Sequence, residues 1–120
     1  MYKKILIATD GSQTAAHAAE VGSDLAKNVK AEVILVHVGD PKRGEKVLAD
    51  TAKAIGGKPQ TVTVDGDPAD KILEVAENDG VDLIVVGNKG MTGAKRFLLG
   101  SVPNQISHHA PCNVLIVKTT

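Results

Sequence analysis

The sequence predicts a doubly wound α/β domain, an open parallel sheet with helices on both faces. Three observations carry that expectation. Short apolar runs alternate with helical stretches along all 120 residues. Apart from the third, the runs are mainly continuous instead of alternating apolar with polar, as strands covered on both faces require. Aromatic residues are only 2% of the chain against 42% apolar residues, so Val, Ile, Leu and Ala must fill the core.

The first strand is Ile5-Leu6-Ile7-Ala8, stopped by Thr9-Asp10-Gly11-Ser12. Ser12 is placed to cap a helix running to about Asn28. Ala15, Ala19, Gly22 and Ala26 give that helix a small-residue face able to lie close to a sheet. Val33 to Val38 forms a second buried strand, ended by Gly39-Asp40-Pro41, and helical spacing then runs from Gly44 to Ile55 before Gly56-Gly57. Thr61-Val62-Thr63-Val64 is β-branched but less apolar, which suits an edge strand. Asp67-Pro68-Ala69-Asp70 opens a helix in three ways: Asp67 caps, Pro68 fits the first turn, and Asp70 complements the dipole. Leu83 to Val86 is the fourth strand, Gly100 to about His109 the last helix, and Val114 to Val117 the fifth strand. Residues 1–120 read as one domain, with no linker, low-complexity tract or internal repeat.

Lys and Arg number 14 and Asp and Glu number 14, for a formal net charge of zero. No basic block appears, so nucleic acid is not an expected partner. One cysteine, Cys112, leaves neither an intramolecular disulfide nor a multi-cysteine metal site. The first strand begins with no signal-like apolar region before it, and no run approaches the ~20 residues of a membrane span. A cytoplasmic protein without membrane contact is expected.

In such a sheet, ligands bind beyond the carboxyl ends of the strands, where strand order reverses. The fourth-strand loop reads Gly87-Asn88-Lys89-Gly90, then nine residues, then Gly100-Ser101-Val102-Pro103. Glycines let a backbone approach a bulky anion, and the amino end of the following helix attracts phosphate. Lys89 adds positive charge, and Ser101 either caps the helix or donates to a phosphate oxygen. Gly-x-x-Gly after a strand is often only a tight turn, and this segment is neither a P-loop nor a dinucleotide fingerprint. Its spacing is what sets it apart.

Gly87-x-x-Gly90, nine residues and Gly100-Ser101 together resemble the ATP-binding signature of the universal stress protein family. Lys3 to Ser12, Leu35 to Val38 and Ala110-Pro111-Cys112-x-Val114 to Val117 are similar to the family's first strand and loop, second strand and C-terminus. The resemblance implies an adenine nucleotide alpha-hydrolase-like fold with strand order 3-2-1-4-5, and a homodimer joined through Val114–Val117. By position it places Ala8, Thr9 and Asp10 on the adenosine and ribose side, and the Val38 backbone at the adenine. Val86, Gly87, Lys89 and Gly90 then surround ribose and phosphates, with Gly100, Ser101 and Val102 at the phosphate end. ATP, with Mg or Mn held indirectly through Asp10, is the implied ligand; no permanently bound metal is expected.

The implied role is a stress-response regulator whose nucleotide state changes its binding to a partner protein. A slow ATPase is a second reading: Lys89 and Ser101 supply charge, but no residue stands out as a base, so turnover is at most weak. A nucleotide-free dimeric interaction module is a third, and the complete glycine signature counts against it. Two departures from the family pattern stand out. The segment Gly39 to Gln60 is short, which leaves one wall of the pocket more open. Asn113 replaces a common proline, which loosens the turn into the last strand.

His37, inside an apolar strand, reads as a hydrogen-bonded core or pocket-rim residue and not a metal ligand. His108 and His109 are adjacent and cannot share a helix face, and His17 has no partner at metal-binding spacing. Cys112 reads as an inert buried thiol. Lys95 and Arg96 are either solvated or phosphate-steering, and Phe97, Leu98 and Leu99 either pack the loop or form a small contact patch.

Overall fold

The structure, a computed structural model, describes residues 1–89 and 99–119. Among these residues the elements are β1 (Lys4–Ala8), α1 (Gln13–Val29), β2 (Glu32–Val38), α2 (Pro41–Ile55), β3 (Gln60–Val64), α3 (Pro68–Asn78), β4 (Leu83–Gly87), α4 (Ser101–His109) and β5 (Asn113–Val117). Every strand pairs in parallel, and the order is β3-β2-β1-β4-β5. The predicted doubly wound sheet and its strand order both hold, with β3 at an edge. Strand order reverses between β1 and β4, which are direct neighbours.

Side chains alternate across the sheet with a period of two, and this divides the core. Ile5, Ile7, Leu35 and Val85 face α1 and α2, packing on Ala18, Ala19, Ala26, Leu48 and Ile55. Leu6, Ile34, Val36 and Ile84 face α3 and α4, packing on Ile72, Ala76, Val102 and Ile106. Each such Ile, Leu or Val contributes about 1.5–3 kcal/mol on burial, offset by the entropy of ordering the chain. The small face of α1 is required by distance: a Cβ on Gly22 would stand 2.9 Å from Ile7 Cδ1 and 3.1 Å from Val85 Cγ1.

Ser12 Oγ accepts from the Ala15 amide at 3.1 Å and Asp67 Oδ2 from the Asp70 amide at 3.1 Å, so both predicted caps form. α2 begins earlier than its apolar spacing indicates. Asp40 accepts from the Arg43 amide at 3.1 Å and Pro41 occupies the first turn, so Asp40-Pro41 starts a helix as well as ending the strand. That first turn, Pro41 to Arg43, is wholly exposed, and apolar periodicity is silent there. Asn113 lies within β5 opposite Leu83, and its Nδ2 donates to the Tyr2 hydroxyl at 3.1 Å. The expected loosening is thus countered by a bond that proline lacks.

Candidate functional site

At the reversal point the exits of β1 and β4 lie side by side. The β1 exit is a tight turn. Thr9 is buried, with its amide donating to Val36 O at 3.0 Å and its hydroxyl accepting from the Gly11 amide at 3.2 Å. Asp10 Oδ1 accepts from the Ser12 amide at 2.9 Å, an Asx-turn that leads into the capped end of α1. Gly11 has a φ of +85°, and Val47 Cγ2 stands 2.9 Å from where a Cβ would be, so only glycine suits this turn.

The β4 exit is organised by Asn88. Its amide donates to Val117 O at 2.9 Å, extending the β4–β5 ladder, and its carbonyl oxygen accepts from the Gly100 amide at 2.9 Å. Gly100 is thereby fixed as the N-cap of α4, and Ser101 is the first helical residue, not the cap. α4 has no side-chain cap, whereas Ser12, Asp40 and Asp67 close the other three helices. Ser101 and Val102 carry amides with no intrahelical acceptor, at the positive end of the dipole.

Ala8, Asp10, Val86, Gly87, Lys89 and Val102 line one small cavity, together with Ala15 and Pro103. Its volume is about 20 Å³, room for about one water. Six of the eleven residues named from the sequence therefore meet. Thr9 is inside the turn, Gly100 is buried behind Asn88, and Ser101 is exposed on α4. Val38, half-buried at the end of β2, packs against the α3–α4 side of the core and is not among the cavity residues. Gly90, Lys95, Arg96, Phe97 and Leu98 lie outside the described residues, and Leu99 is exposed. Sequence reasoning missed Asn88, which looks like any polar turn residue, and Ala15 and Pro103, whose small apolar side chains carry no chemical signal.

His37 is buried against α2, and its Nδ1 has no hydrogen-bond partner among the described residues, in contrast to the hydrogen-bonded histidine expected. Burial, then the Arg43 guanidinium, pushes its pKa below the usual histidine value, against the opposing pull of Asp10 and Asp40. Cys112 is half-buried, and burial followed by the Asp82 charge raises its thiol pKa. Among the described residues, no group of three or more His, Cys, Asp or Glu side chains is arranged to hold a metal ion. No helix among them is long and apolar enough to cross a membrane.

Two other concavities lie nearby. A groove of about 200 Å³ between α1 and α2 reaches Thr9, Gly11 and Ser12. A larger hollow of about 440 Å³ lies at the opposite end of the sheet, among Lys4, Lys27, Lys30 and Lys58. There Lys4 and Lys27 are engaged with the carbonyls of Asp79 and Ile55, and the carboxyl ends of α1 and α2, the negative ends of their dipoles, border the hollow, so volume and anion-binding chemistry do not coincide.

The universal stress protein family model matches residues 1–54 and 42–118, which together span nearly the whole chain. The chain belongs to the universal stress protein family. A universal stress protein of Bacillus subtilis is 34% identical, with 98% of this chain and all of that protein covered. One from Methanocaldococcus jannaschii is 37% identical over 98% of this chain and 83% of its own length. Among solved structures, a universal stress protein in complex with cAMP superposes with a TM-score of 0.84 at 32% identity, covering 99% of this chain and 98% of that one. The B. subtilis alignment runs over 148 positions, more than this chain's 120 residues, so that relative carries segments absent here. The family match breaks into two parts that overlap at residues 42–54, inside α2, which fits a short β2–β3 connection.

Proposed function

We propose that this universal stress protein binds ATP or another adenine nucleotide at the β1–β4 reversal point and acts as a stress-response regulator. The observation that carries the reading is the convergence of Ala8, Asp10, Val86, Gly87, Lys89 and Val102 on one cavity beside the amino end of α4, which has no side-chain cap. Helical amides without an intrahelical acceptor and a lysine are the donors a phosphate chain needs, and the apolar walls suit a nucleoside. The cAMP complex of a related universal stress protein supports the adenylate class. Because the cavity itself is small, the nucleotide lies across its mouth, with Gly90, Gly100 and Ser101 at the phosphates and Thr9 and Val38 toward the base. Asp10 is the side chain available to a Mg or Mn ion carried in on the phosphates. The regulator works in the cytoplasm as a homodimer paired along β5, and its nucleotide state alters the binding of a partner protein.

The test is calorimetric titration of refolded, ligand-free protein with ATP, AMP and cAMP. Micromolar to sub-millimolar affinity is expected for at least one, equivalent to roughly −4 to −8 kcal/mol. Gly100→Glu sets an anion beside the α4 amides and should abolish the heat while the circular dichroism is retained. Absence of heat with all three adenylates, or undiminished affinity in that folded variant, refutes the assignment.

A further inference from the structure

We infer that Asn88 is a positioning residue that fastens the chain beyond β5 to the mouth of the nucleotide cleft, so that the last strand and the phosphate end are set as one unit. The inference rests on the nucleotide reading above, but its geometry does not. The Asn88 Oδ1 atom accepts two hydrogen bonds at 2.9 Å, from the amide and from the hydroxyl of Thr119. A backbone amide can only donate, so the oxygen end of the carboxamide is the end that faces Thr119. The same residue's main chain joins Val117 O to the Gly100 amide. Four hydrogen bonds on one residue thus register three segments: the exit of β4, the first residue of the α4 cap, and the chain leaving β5.

The packing around this knot is tight. A Cβ on Gly100 would sit 3.2 Å from the Asn88 carbonyl oxygen, and one on Gly87 would sit 3.2 Å from Lys89 O and 3.7 Å from Thr119 Cγ2. Both glycines of the signature that fall among the described residues therefore abut the same knot, one on each side. Loss of the Thr119 bonds leaves Asn88, among the described residues, tied through its main chain alone. The Gly100 amide then opens more readily, and the Ser101 and Val102 amides that follow it lose their aim at the phosphates. Anything that displaces the chain after β5 acts on the cleft by the same route.

The experiment compares wild type, Asn88→Ala, Thr119→Ala, Thr119→Ser and the Asn88→Ala/Thr119→Ala double variant. The first readout is ATP affinity. The second is amide exchange of Gly100 in the ligand-free protein, which needs no nucleotide. Asn88→Ala is expected to weaken ATP binding about tenfold and speed Gly100 exchange by at least that factor, with the exchange of central β1 amides unchanged. Thr119→Ala acts in the same direction, Thr119→Ser restores wild-type behaviour, and the double variant is no worse than Asn88→Ala. Wild-type Gly100 exchange in Asn88→Ala overturns the inference, as does a uniform acceleration across the sheet, which marks a merely structural role. If Gly100 exchange rises as expected but wild type binds no ATP, the knot stands and the nucleotide reading falls.

Discussion

Gly22 is where two opposing effects of known size meet. Replacing it with alanine removes a flexible residue from the middle of α1, which by helix propensity alone stabilises by about 1 kcal/mol. The new Cβ, however, would stand 2.9 Å from Ile7 Cδ1, 3.1 Å from Ile7 Cγ1 and 3.1 Å from Val85 Cγ1. Ile7 and Val85 are fully buried on adjacent central strands, so neither branch has free space to turn into. Overpacking of this kind costs about 1–3 kcal/mol. The balance is a net loss of about 1 kcal/mol for Gly22→Ala, and a larger one for Gly22→Val, whose extra methyls meet the same wall. With a urea m-value of ~1–3 kcal/mol/M, the alanine variant shifts the unfolding midpoint down by roughly 0.3–1 M. Ala16→Gly, at an exposed position of the same helix, calibrates the propensity term and should lose about 1 kcal/mol. Should Gly22→Ala prove as stable as wild type or more so, α1 is not held against β1 and β4 at this distance, and the account of its small-residue face is wrong.

Two predictions concern pH. The folded pKa of His37 lies below its unfolded value of about 6.5, so its contribution is complete above that pH and is lost as pH falls toward the folded value. Urea midpoints at pH 8 and pH 5 should therefore differ less in His37→Gln than in wild type; an unchanged difference removes His37 as the cause. At the Asp82 carboxyl, burial acts to raise the pKa, but the amides of Lys3, Lys4 and Asp82 itself and the N-terminal ammonium outweigh it and hold the pKa below the ordinary carboxylate value. Its stabilisation is present above about pH 4 and lost as pH falls through the folded pKa, so Asp82→Asn should cost about 1 kcal/mol at pH 7 and little at pH 2. An equal cost at both pH values rules out the charge as the source.

The sequence was most legible where hydrophobic pattern and end signals agreed. β1, β2 and β4 are continuous apolar runs buried on both faces, and Asp67-Pro68 announces α3 with both signals at once. α2 was half legible because its opening turn, Pro41 to Arg43, faces solvent and carries no apolar residue, while Gly44 beneath it is buried against His37 and looks in sequence like a breaker. The candidate site divides in the same way. Glycine spacing, Asp10 and Lys89 can be read from residue type and position. The role of Asn88 cannot, because its partner Thr119 is 31 residues away and is brought to it only by the pairing of β4 with β5.

The abrupt start of α2 also constrains how any ligand arrives. Only Gly39 and Asp40 separate β2 from α2, a span of at most ~7 Å, and both are pinned, Gly39 to Val64 O and Asp40 as the helix cap. A tether that short and doubly anchored has no slack to hinge on, so this flank works as a fixed doorpost. Any widening of the crevice beyond the strand ends must leave this side unmoved.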